Sequence, residues 1–86
     1  MNDIRVSSIK EVDLSDLKFP QVAVFSKPDD YPDKEVARVF DDGEPTNTVI
    51  LSDDLEALKK DIFDNTNFLF FSRGQDDVPA LIGVFL

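Results

Sequence analysis

Histidine and cysteine are both absent from this 86-residue chain, and glycine occurs only three times. The first two absences remove most routes to nucleophilic catalysis. Neither a Ser-His-Asp nor a Cys-His arrangement can be built, because each needs an imidazole as its base. Ser–Lys and paired-carboxylate mechanisms have no supporting spacing here. So many acids in a small domain fall within about 5–10 Å of one another by chance, so carboxylate separations carry no weight. The chain is expected not to be an enzyme, with no catalytic residue and no cofactor. The common zinc sites are excluded for the same reason. The glycines, 43, 74 and 83, are scattered, and the segment Leu51-Ser52-Asp53-Asp54 is acidic, so no phosphate cradle is expected. An EF-hand loop with Gly43 at its sixth position would place Arg38 where the first carboxylate ligand belongs. No metal-ligating residue is therefore assigned.

Long apolar runs are also missing. The longest, residues 68–71 and 80–86, fall well short of the ~20 residues a spanning helix needs. The first residues, Met1-Asn2-Asp3-Ile4-Arg5, carry no basic region leading into an apolar one, so no secretory signal is read. The lack of cysteine fits a reducing compartment, and the expected location is the cytoplasm. Cations are scarce too: 9 Lys and Arg stand against 18 Asp and Glu, a net charge of -9. Direct binding of nucleic acid or of an anionic membrane is disfavoured, since both require positive charge.

What remains is a foldable core. Hydrophobic residues make up 42% of the chain, and eight of them are Phe. That suffices for one domain spanning residues 1–86, which at this size buries roughly 60% of its unfolded surface. Residues 52–63 read as an amphipathic helix, with Leu55, Leu58 and Ile62 on one stripe. Ser52 or Asp53 is the expected cap, Asp53 with Glu56 has capping-box spacing, and Lys59 and Lys60 are expected near the C-terminal end of the macrodipole. Residues 21–26, 35–41, 47–51, 67–72 and 80–86 read as strands separated by turn chemistry, including Asp42-Gly43 and the stretch 73–79. The order β-β-β-α-β-β gives an α+β fold: a mainly antiparallel sheet of five to six strands with one helix packed across it. Residues 1–19 supply a further strand over 4–12 and a turn at 14–17 capped by Asp13 or Ser15, and can cover the sheet.

Several strands are apolar on both faces. Val22 and Val24 alternate with Ala23 and Phe25, Phe68 and Phe70 with Leu69 and Phe71, and Leu81 and Phe85 with Ile82 and Val84. One helix covers one face only. The second face must be shielded by residues 1–19, by a partner, or by a second copy in a homodimer formed through a sheet face or edge. The apolar strand at 80–86 is expected to be internal or paired across an interface. Gly83 within it points to a bulge or close packing.

The loop between the first two strands is the best recognition element. Pro28 and Pro32 stiffen it and bias Lys27 and Tyr31 towards extended backbone. It presents the chain's single Tyr among aspartates, and Tyr is enriched at binding hot spots. Candidate partner-binding residues are Asp29, Asp30, Tyr31, Asp33 and Glu35 here, with Asp41, Asp42 and Glu44 around the next turn. The leading expectation is a non-enzymatic acidic protein that binds a basic partner, one that itself binds nucleic acid, in the manner of a phage or mobile-element inhibitor acting by charge mimicry. The alternatives are a homodimeric structural or assembly protein whose acidity serves solubility, and a module binding divalent cations through the Asp clusters.

Overall fold

The stripe of Leu55, Leu58 and Ile62 does form a helix, α1 (Leu55–Asn65), with Leu58 and Ile62 buried beneath it. In the computed structural model, which describes residues 3–72 and 80–86, the chain begins with β1 (Ile4–Val6) and two short 3-10 turns, Ile9–Glu11 and Leu14–Asp16. Then follow β2 (Pro20–Ser26), β3 (Glu35–Asp41), β4 (Glu44–Ser52), α1, β5 (Phe70–Ser72) and β6 (Leu81–Phe85). The turn expected at 73–79 lies outside the described residues.

The six strands form one sheet in the order β1-β4-β3-β2-β6-β5. β2, β3 and β4 are a meander, and β6 returns to pair antiparallel with β2, so the apolar strand at the end of the sequence is internal. β1 runs parallel to β4, with Val6 opposite Ile50, which makes the sheet mixed. The α+β class holds, and the N-terminal stretch adds the sixth strand. That strand is shorter than the 4–12 expectation because Ser8 and Asp13 cap the 3-10 turns that follow it.

Local chemistry sets the boundaries. Asp42 (φ 53°) and Gly43 (φ 80°) both take left-handed backbone, the two-residue type I′ turn that matches strand twist. Strand β4 therefore begins at Glu44, three residues earlier than expected. Pro45 is tolerated because the β3–β4 register shifts between Arg38 and Phe40, where Thr46 donates its hydroxyl to the Val39 carbonyl. The helix cap is Asp54, whose Oδ1 accepts from the amides of Glu56 and Ala57; neither Ser52 nor Asp53 takes that role. The helix also continues to Asn65, so Lys59 and Lys60 lie mid-helix and the last turn carries no base. Each instead pairs along the helix, Lys59 with Glu56 and Lys60 with Asp64.

One core holds the layers together. Val22, Val24, Ala37, Ile50 and Phe85 face Leu58 and Ile62, and Ile9 packs into the same cluster. Asp61 fastens this arrangement from the helix: its carboxylate accepts from the Ser8 hydroxyl and the Ile9 amide, both at 2.7 Å. The N-terminal segment therefore lies on the helix side of the sheet. Its apolar side chains do not cover the second face, a correction with a plain cause: Ile9, Val12 and Leu14, with Val6 of β1, pack into the core beside α1.

Candidate functional site

The second face is closed over half its width by the loop between β2 and β3. Backbone bonds from Lys27 N to the Lys34 carbonyl, 2.9 Å, and from Tyr31 N to the Pro28 carbonyl, 3.0 Å, fold residues 27–34 into a compact turn. Lys27 takes φ 48°, not the extended backbone that a following proline favours, because the loop must reverse sharply to lie back over the sheet. Tyr31 is its anchor. The phenol donates to Asp3 Oδ2 at 2.6 Å and accepts from Arg5 Nε at 3.1 Å, and the Arg5 guanidinium sits 5.7 Å from the ring centre. Arg38, projecting from the middle of β3, donates to both Asp3 oxygens at 3.2 Å and to the Thr46 carbonyl at 3.0 Å. Its Nη2 also lies 3.5 Å from Asp30. Beneath this network Val36 and Val49 are buried on the loop side.

The network has an electrostatic consequence. Hydrogen bonds from Arg38, and then from Tyr31, hold the Asp3 carboxyl below the usual carboxylate range. Asp3, Arg5 and Arg38 are the residues that sequence reasoning missed. One signal was present: Arg38 interrupts the apolar strand Val36-Ala37-Arg38-Val39-Phe40, and a cation there needs a partner close by.

The eight candidate residues do not form one site. Glu35 is 5% exposed and accepts from the Ser26 hydroxyl, so its carboxylate is a strand-pairing group turned away from solvent. Asp41 accepts from the amides of Lys18 and Phe19, at 2.9 and 3.0 Å, and thereby fixes the entry into β2. Tyr31 and Asp30 belong to the loop anchor. Asp29, Asp33, Asp42 and Glu44 are exposed and make no ion pair among the described residues. They fall into two groups, Asp29 and Asp33 at one end of the β2–β3 hairpin, Asp42 and Glu44 at the other. The ends are separated by seven-residue strands, or ~20 Å at the usual rise per residue.

Between those ends the other half of the second face is left uncovered by the described residues. A hollow of about 320 Å³ is lined by Ala23, Phe25, Phe40, Leu81 and Val84, with Gly43 at its edge. Register carries the same surface outward: Phe71 lies opposite Val84, and Leu69 exchanges both backbone hydrogen bonds with Leu86. Leu69, Phe71 and Leu86 are 62%, 52% and 50% exposed. Phe25 is shared with a smaller hollow of about 150 Å³ that runs under the loop to Pro28 and Asp30. A further hollow of about 380 Å³, between α1 and β5, is ringed by charges that pair with one another, and Lys59 Nζ rests 4.9 Å from the Phe70 ring centre.

Among the described residues no three Asp or Glu side chains converge to hold a metal ion, and no helix is long and apolar enough to cross a membrane. Comparison with protein-family models, with curated proteins and with solved structures returns no match.

Proposed function

We propose that this is a non-enzymatic acidic binding protein of the cytoplasm that engages a basic protein partner, of the kind that itself binds nucleic acid, and blocks it by charge mimicry as phage or mobile-element inhibitors do. The observation that carries this reading is the placement, at both ends of one hairpin, of exposed carboxylates with no ion pair among the described residues, on a molecule of net charge -9. The strand that joins the two turns is ~20 Å long, about two Debye lengths in 0.1 M salt. Each end therefore meets its own basic group, and their contributions to association add.

The test is retention of cell proteins on the immobilised protein in 0.1 M salt. Basic nucleic-acid-binding proteins should be retained, and both duplex DNA and 1 M salt should displace them. Replacing Asp29 and Asp33 by Asn should weaken retention, replacing Asp42 by Asn and Glu44 by Gln should weaken it similarly, and the combined variant should lose most of it. Retention indifferent to salt, to DNA and to all four substitutions would reject the reading.

A further inference from the structure

The open half of the second face lies between the two acidic ends, and its chemistry differs from theirs. Ala23, Phe25, Phe40, Leu81 and Val84 line its floor, and Leu69, Phe71 and Leu86 extend it to the sheet edge, with no charged side chain among them. The three exposed residues leave about 100 Å² each uncovered, given the ~200 Å² scale of a large apolar side chain. Together with the hollow this falls within the ~300–600 Å² range of the largest patch on a soluble monomer, a patch that is often functional.

Charge decides which occupant fits. A second copy laid face to face with its strands aligned, parallel or antiparallel, would bring an acidic end opposite an acidic end, since Asp29 and Asp33 mark one end and Asp42 and Glu44 the other. Like charges in register disfavour that contact. A protein surface with an apolar centre and Lys or Arg on either side meets all three zones favourably. We propose that this half-face is the docking surface for such a segment: apolar side chains seat in the hollow, and flanking cations meet the two acidic ends. The inference rests on the acidic-binding reading and adds what charge alone does not supply, an apolar anchor. Mimicry by carboxylates gives speed and orientation of encounter, whereas a desolvated anchor lengthens the lifetime of the complex.

Two synthetic peptides of equal charge separate the contributions: KKVFVFVKK, apolar at its centre, and KKGSGSGKK, which is not. Binding is measured by calorimetry at low salt, with the oligomeric state followed by sedimentation velocity. The apolar-centred peptide should bind at least about tenfold more tightly. The double variant Leu69→Glu with Phe71→Glu should bring the two peptides level, and the milder Phe71→Ser should lie between. Both positions are already exposed, so thermal unfolding should change little. Equal binding of the two peptides to the native protein would overturn the apolar anchor and leave the acidic reading standing. Failure of both peptides to bind would overturn the two together. A dimer that the double variant dissolves would overturn the inference in favour of a second copy.

Discussion

Gly83 shows how closely a single residue can be constrained. It sits opposite Val24 just beside the register shift in the β2–β6 pairing, and a Cβ there would collide with the Phe70 ring and the Phe71 carbonyl oxygen. Phe70 cannot retreat freely, because its ring packs on Phe85 with centroids 4.9 Å apart. Gly83→Ala is therefore expected to cost about 1–3 kcal/mol, the usual range for overpacking. Urea denaturation reads it directly; a change within ~0.5 kcal/mol, typical of surface sites, would mean that β5 shifts without penalty. The need for glycine was legible in the sequence, since a Gly inside an apolar strand implies close approach. The identity of the colliding ring was not, because it comes from a strand with a different sequence position and no local signal.

At the scale of elements, α1 and the β2–β3 loop cover opposite faces by different physics. The helix is held by apolar burial: Leu58 is 2% exposed in the central cluster. Leu58→Ala should destabilise the fold by about 2–5 kcal/mol, again by urea denaturation. The loop is held by charge-assisted hydrogen bonds to Asp3, so it responds to pH. The Asp3 carboxyl is lowered in the folded state, so its contribution is complete above the ordinary Asp value of about 3.9 and is lost as pH falls through the lowered value. The Tyr31 ring protons should keep their folded NMR shifts down to about pH 4 and move towards free-tyrosine shifts below it. Asp3→Asn should show part of that movement already at neutral pH. A Tyr31 spectrum independent of both pH and this substitution would show that the loop stands without the network. The helix was legible because its periodicity is local. The contacts of Tyr31 and its loop were not legible, because Asp3 and Arg5 come from the N-terminal segment and Arg38 from β3.

For the whole molecule, the sequence made plain that a sheet with two apolar faces needed more than one helix. It did not show how the covering would be divided. Residues 7–19 join the helix on one side, the loop takes half of the other, and no other described segment covers the remaining half. Alternation of apolar residues states how many faces must be buried, but assigning a cover to a face depends on contacts between distant segments such as Ser8 with Asp61. The candidate acids divide along the same line. Turn positions were readable, and Asp42 and Glu44 are at a turn as expected. Which carboxylates are taken up by the fold, Glu35 buried against Ser26 and Asp41 by the amides of Lys18 and Phe19, depends on register and on segments that arrive from elsewhere.

The parallel β1–β4 pairing described above has a consequence in time. Strands β2, β3 and β4 join through neighbouring hairpins, so each contact closes a short loop. Pairing Ile4 with Thr48, or Val22 with Phe85, requires most of the intervening chain to be drawn in first. Closure entropy makes such distant pairings late events. The meander should therefore assemble before either flank of the sheet exists, and the nascent molecule passes through a stage in which the Tyr31 loop has no Asp3 to hold it. The same segment that shields half a face at the end of folding is, on the way there, a door without a latch.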